Sequence, residues 1–414
     1  RYIISNSEDV FSILFVYALF RWCGWADKKI TFDIVPLFET MNGMDSAQET
    51  MRFMFNLPEY RSHVQSRNNK QTIMLGFSDG TKDGGYLKAN WSILKTKEEL
   101  SAVCDENDIA AIFFDGRGGP PARGGGKTHR FYAAQTKEVA NNEIQLTIQG
   151  QTITSTYGTK EQFIYNSEQL LTAGLSNTIL GKEISISETD RKLVEELSEL
   201  SFKKYDELKH HDKFMPYLEN MSTLKYYTKA NIGSRPGKRG NKAKLELSDL
   251  RAISFVGSWS QLKQNVPGYY GIGTALKSLE DDGRFEEAQK LYEEVPFFQA
   301  LMMNSMMSLS KCYFELTSYM KENEEYGAFW EILHAEYILS KAMLLKLSGM
   351  EILMEKEAIS RESIKIRENI VLPLLVIQQY ALQRIGEGTE FKELYEKIVT
   401  RSLYGNINAS RNSA

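Results

Sequence analysis

The stretch DIAAIFFDGRGGPPARGGGKTHR, residues 108–130, decides how the rest of the chain is read. It begins as a short apolar run without polar alternation, the pattern of a strand buried on both faces. From Phe113 to Arg130 it then packs six glycines, three arginines and one lysine into eighteen positions. Glycine loses more conformational freedom on folding than any other residue, and clustered positive charges repel. A loop of that composition at a strand end implies an anion for it to meet.

Two other segments have the same form, FDIVPLFET (32–40) and QTIMLGFSDG (71–80). LKYYTKANIGSRP (224–236) and LRAISFVGSW (250–259) are read as two further strands. Between them SAQETMRFMFNL (46–57) and SETDRKLVEELSELSFKKYDEL (187–208) carry a helical period. Alternation of strand and helix predicts a parallel sheet, an α/β fold. Glu39, Asp79, Asp115, Arg117 and Arg235 collect where the runs end. In a β/α barrel the active site lies at the carboxyl ends of the strands. Five runs are too few to close eight strands, so some strands are hidden in segments read as helix or belong to a portion outside this chain. Arg1, in place of Met, is consistent with a fragment or a processed product.

From about residue 280 the strand signals vanish, and Leu, Met, Glu and Lys recur at helical spacing. The expected division is therefore a barrel portion at 1–279 and a helical region at 280–414. Met302, Met303, Met306 and Met307 form a stripe expected to fill core. VFSILFVYALF (10–20) is too short to span a bilayer. It is expected to be an amphipathic core helix presenting Val10, Ile13, Leu14, Tyr17 and Ala18, with Ser5 and Glu8 as a capping box.

The 414 residues are 42% hydrophobic and 25% charged, with a net charge of -4. That balance argues against a general nucleic-acid or membrane binder, so attraction for anions must be local. Cys23, Cys104 and Cys312 lack metal spacing and suit a reducing compartment. None of His63, His129, His210, His211 and His334 sits in a nucleophile or zinc motif.

GGGKT (124–128) invites a phosphate-loop reading, but Pro121 stands where that motif needs its first glycine. GIGTAL (271–276) lacks the third glycine of a dinucleotide fingerprint. GSRPGKRGNKAK (233–244) reads as an RNA-binding arm, a solvated charge run, or a loop closing over an anionic substrate. Glu39 and Asp79 offer hard oxygen ligands suited to Mg2+. Lys82, three residues after Asp79, is either a surface cation or a partner for an oxyanion.

Taken in order, these segments resemble phosphoenolpyruvate carboxylase. MLGFSDGTKDGG is similar to the family's M-x-G-Y-S-D-S-x-K-D-A-G, and FFDGRGGPPARGGG to F-H-G-R-G-G-x-x-x-R-G-G-G. QGQTI (149–153), NIGSRPGKR, LRAISFVGSWSQ, PGYYGIGTAL and the terminal RNSA (411–414) continue the series. The resemblance covers the family's C-terminal half only. It implies part of a (β/α)8 barrel with extensive extra helices. It further implies that Glu39 and Asp79 hold Mg2+ or Mn2+, that Arg117 and Arg251 grip phosphoenolpyruvate with Arg235 close by, and that Lys82 and Arg123 position bicarbonate. Lys311, Arg367 and Asn412, with Arg123 shared, are similar to the family's pocket for the inhibitors aspartate or malate. A cytoplasmic homotetramer, binding neither nucleic acid nor membrane, is implied for the full-length enzyme, and inactivity for this chain alone. The glycine loop is expected to let Arg123 swing over the substrates. Departures are Asp115 for a histidine, Gly80 for a serine, Gln151 for a glutamate, the stiffening Pro120 and Pro121, and the final Ala414. Asp115 is expected to pair with Arg117 or Arg123.

Overall fold

The computed structural model describes residues 1–25, 30–139, 143–148, 151–179, 184–229 and 246–410. The chain opens with β1 (Tyr2–Ile4), α1 (Val10–Phe20), β2 (Ile34–Phe38), α2 (Met41–Asn56), α3 (Pro58–Ser66) and β3 (Lys70–Gly76). There follow α4 (Phe77–Gly84), α5 (Tyr86–Glu106), β4 (Ala110–Gly116), α6 (Thr128–Ala133), β5 (Ile144–Leu146), α7 (Gln151–Tyr157), α8 (Lys160–Ile179) and α9 (Glu188–Lys209). The rest of the described chain is helical: α10 (Phe214–Met221), α11 (Leu224–Lys229), α12 (Ala252–Gln261), α13 (Ile272–Asp281), α14 (Phe285–Glu294), α15 (Pro296–Ser310), α16 (Gly327–Ser348), α17 (Ala358–Gly386) and α18 (Lys392–Ser410).

The five strands form one sheet in the order β1-β2-β3-β4-β5, every neighbouring pair parallel. The α/β class and the parallel sheet expected from the alternating runs are therefore present. All five residues of β2 are buried, as an apolar run without alternation requires. The register pairs Phe38 with Leu75 and Gly76 with Gly116. Because the strands are parallel, Glu39, Asp79 and Arg117 all lie beyond the same edge of the sheet.

Two runs read as strands, 224–236 and 250–259, are helical where they are described. Residues 224–229 form α11 and residues 252–261 form α12. Ala252, Phe255, Val256 and Trp259 are buried, and so are the polar Ser254, Ser258 and Gln261 at helical spacing, so α12 turns little of its surface to solvent. Conversely, β1 and β5 have three residues each, too few to make a pattern.

In α1, Ile13 and Tyr17 are buried as expected, but Phe11, Phe15 and Leu19 are exposed, so the helix is apolar on both sides. Its N-cap is Asp9, whose carboxylate accepts from the Ser12 amide at 2.9 Å. The expected capping box at Ser5 and Glu8 is not used, because Asp9 lies directly before the first helical residue and Glu8 instead accepts from the Thr40 hydroxyl. The largest core cluster runs from Ile4 to Met354 and draws side chains from both sides of position 279. Met302 and Met306 are buried within it, and Met303 and Met307 pack against it. No helix among the described residues is long and apolar enough to cross a membrane.

Candidate active site

The site is built on the carboxyl ends of β2, β3 and β4. Glu39 directly follows β2, buried, and its Oε1 accepts from the Asn6 amide at 3.0 Å. A Cβ on Gly76 would stand 2.4 Å from the Glu39 Cβ, so only glycine lets β3 pass this close beside the carboxylate. Three residues on, Asp79 sits in the first turn of α4, where a helix N-terminus favours an acid. One turn later comes Lys82, buried, its ammonium 3.4 Å from Asp79 Oδ1 and donating to the Leu250 carbonyl at 2.8 Å. Arg251, whose extended backbone starts α12, is the next residue after that carbonyl. Three separate segments thus converge: the end of β2 with Glu39, the first turns of α4 with Asp79 and Lys82, and the start of α12 with Arg251, some 170 positions further along the chain.

The glycine loop folds back on itself. The Gly118 amide donates to the Arg123 carbonyl at 2.6 Å, and Arg117 Nε donates to the Gly124 carbonyl at 2.5 Å. A Cβ on Gly125 would lie 1.7 Å from the Gly119 carbonyl oxygen, so this glycine serves close approach of backbone to backbone. Arg123 is 3% exposed, with Nε donating to the Ser78 hydroxyl at 3.2 Å, next to Asp79. Burial pulls its pKa down to about 10, opposed by the charges of Asp79 and Tyr227. The guanidinium of Arg117 stacks on Phe131, 4.2 Å from the ring centre. One of its terminal nitrogens is buried with no hydrogen-bond partner among the described residues.

Asp115 does not pair with Arg117 or Arg123 as expected. It is fully buried, and Lys97 of α5 donates to its Oδ2 at 2.9 Å while the Tyr132 hydroxyl donates to the same oxygen at 2.6 Å. The side chain of Asp115 turns toward α5 and α6, which present Lys97 and Tyr132 to it. Sequence reasoning missed Lys97 altogether. The available signal was the acid itself, since a carboxylate at the end of a buried strand needs a cation nearby.

Glu357 was also missed. Its carboxylate, in the turn before α17, bonds Lys127 and lies 2.5 Å from Arg130 Nη2. Both cations directly follow the glycine loop, so one acid ties that loop to the helical region.

Lys311 and Arg367 line one cavity together with Lys263, Glu368, Ser260 and Asn406. Lys311 and Ser260 also line a second cavity beneath Pro120, Pro121 and Ala122 of the glycine loop. The two cavities share a wall, and Arg123 follows Ala122. Burial, then the charges of Lys263 and Arg367, lower the Lys311 pKa to about 8, against a smaller opposing effect of Glu368. Arg235 and Asn412, and the basic run 233–244, lie outside the described residues.

A divalent cation can be tested against the donors. Glu39 and Asp79 present carboxylate oxygens from neighbouring strand ends, the hard ligands that Mg2+ takes. The described residues contain no group of three or more His, Cys, Asp or Glu able to hold a metal. Two carboxylates with water and substrate oxygens completing the shell is the usual arrangement for Mg2+, so the residues fit it.

A profile of the family described as phosphoenolpyruvate carboxylase matches residues 1–410. A phosphoenolpyruvate carboxylase of Corynebacterium glutamicum is 33% identical over 427 aligned residues, covering 99% of this chain and 46% of the relative. One from Prochlorococcus marinus (strain MIT 9215) is 31% identical, covering 97% of this chain and 42% of the relative. The chain thus spans somewhat under half the length of the curated relatives it matches. With the match running through every strand end and the glycine loop, the chain belongs to the phosphoenolpyruvate carboxylase family.

Proposed function

We propose that this chain supplies the metal-binding and anion-gripping part of an enzyme that carboxylates phosphoenolpyruvate with bicarbonate. The observation that carries the reading is convergence: two carboxylates and three cations, Lys82, Arg117 and Arg123, meet at one edge of a parallel sheet. The two reactants are both anions, so their repulsion has to be cancelled before they touch. Arginine forks bind phosphate and carboxylate bidentately, each charged hydrogen bond worth roughly 1.5–3 kcal/mol.

In this reading Arg117 and Arg251 hold phosphoenolpyruvate, joined by Arg235, and Lys82 and Arg123 orient bicarbonate. A bicarbonate oxygen attacks phosphorus and the bond from phosphorus to the enol oxygen breaks, leaving carboxyphosphate and the enolate of pyruvate. Carboxyphosphate divides into CO2 and phosphate, and the enolate carbon adds to CO2 to give oxaloacetate. Glu39 and Asp79 would hold Mg2+ or Mn2+, which when bound stabilises negative charge developing on the substrate. The folded-back loop excludes water from intermediates that water would destroy. The five parallel strands are taken as part of a (β/α)8 barrel within 1–279, and 280–414 as the helical region. There Lys311, Arg367 and Asn412, with Arg123, form a site for an inhibitory dicarboxylate such as aspartate or malate.

The test is a coupled oxaloacetate assay on the full-length polypeptide with bicarbonate omitted as control. Bicarbonate-dependent formation of oxaloacetate and phosphate is expected. Phosphate transfer from phosphoenolpyruvate that ignores bicarbonate would overturn the carboxylase reading in favour of a phosphotransferase on the same scaffold.

A further inference from the structure

We propose that Lys97 is a positioning residue that keeps Arg117 available for the substrate by occupying Asp115. The inference rests on the assignment of Arg117 to the substrate anion. Asp115 and Arg117 are joined by a tight turn at the end of β4, the Arg117 amide donating to the Asp115 carbonyl at 2.9 Å, and both side chains reach Tyr132, whose hydroxyl donates to Asp115 and whose ring centre is 5.8 Å from the Arg117 guanidinium. An acid so placed is the natural partner for the arginine, and a bound arginine has less to offer an incoming phosphate.

The structure prevents that pairing. Lys97 reaches Asp115 from behind, and both side chains are 1% exposed. The Tyr132 hydroxyl takes up the same carboxylate oxygen as Lys97. Arg117 is held by other means, on the face of Phe131 and by the Gly124 carbonyl. The Lys97 ammonium stands 5.3 Å from the centre of that same Phe131 ring. Two cations therefore share one aromatic ring, Lys97 bound to the acid and Arg117 not. Thr147 fixes the backbone between them, its hydroxyl donating to the Arg117 carbonyl at 2.7 Å. Burying an ion pair this completely is costly and adds little net stability over apolar residues. A division of labour between the two cations gives the pair a purpose.

The experiment compares Lys97→Met, Asp115→Asn and the double variant in the full-length enzyme, reading kcat, KM and the Kd for phosphoenolpyruvate. Lys97→Met releases Asp115 to capture Arg117, so KM and Kd should rise at least about tenfold, the size of one weakened charged hydrogen bond, with kcat within about threefold. Removing the acid as well should return both constants to within about threefold of the parent. A Lys97→Met enzyme with parental affinity, or a double variant no tighter than the single one, overturns the proposal. Should Lys97→Met not fold, the double variant decides: a tenfold loss of affinity there sinks the idea, because no acid remains to compete. A parent that binds phosphoenolpyruvate without carboxylating it would refute the function proposed above. The Kd comparison would still judge Lys97.

Discussion

Lys97 and Asp115, side by side behind β4, are each 1% exposed, whereas Arg284 and Glu287, one turn apart at the start of α14, are 37% and 49% exposed. The same contrast runs through the molecule. At the strand ends Lys82, Arg117 and Arg123 are buried beside aromatic rings, backbone carbonyls and a few acids. Along the later helices, pairs such as Lys290 with Glu294 and Arg384 with Glu387 stand in water at helical spacing. Solvated pairs are weak and dispensable, while charges taken out of water cost several kcal/mol each unless they are paired and hydrogen-bonded. On the function proposed above, the chemistry belongs to the buried set.

Removing Lys82 tests that contrast most severely. Lys82→Ala is expected to lower kcat by about a thousandfold or more while the Kd for phosphoenolpyruvate stays within about fivefold, as expected for a group acting on the second reactant. Turnover within tenfold of the parent would make this buried lysine a structural one. Gly125→Ala comes next. Its methyl group would meet the Gly119 carbonyl at 1.7 Å, so the loop must shift, at a cost of roughly 1–3 kcal/mol. Steady-state kinetics should show kcat/KM down about tenfold to a hundredfold, and parental kinetics would show the loop's packing to be irrelevant.

Titration sharpens the comparison further. With the Lys311 pKa lowered to about 8, its cation is present below that pH and fades above it. Affinity for an inhibitory dicarboxylate should hold steady below pH 8 and fall by up to about tenfold per unit above it, because binding requires the protonated amine. Inhibition curves that do not change between pH 7 and 9 would place the inhibitor elsewhere. The smallest effect is expected on the helices. Arg284→Ala, despite losing partners Glu196 and Glu287, should move the melting temperature by less than about 2 °C. A larger drop would show that exposed pairs matter here more than their solvation allows.

The sequence made some of this legible and not the rest, for physical reasons. β2, β3 and β4 declare themselves because strands covered on both faces must be apolar throughout. Their carboxyl ends then give Glu39, Asp79 and Arg117 directly. The same rule misleads at α12, a mostly buried helix whose short apolar run does not by itself separate helix from strand. Pairings across long separations were invisible: Lys82 with the Leu250 carbonyl, or Lys127 with Glu357, depend on how helices stack rather than on local pattern. Asp115 shows the limit best. Its burial follows from its strand, but its pairing with Lys97 rather than Arg117 depends on α5 packing against β4, a long-range contact that no local pattern shows.

The grip of Glu357 on Lys127 and Arg130 carries a genetic consequence. A lesion in the glycine loop need not be repaired within the loop. Because one carboxylate some 230 positions downstream sets where the loop's exit is moored, second-site revertants of loop lesions belong in the turn around Glu357 and the opening of α17. A screen that sequences only the neighbourhood of the original lesion would overlook them.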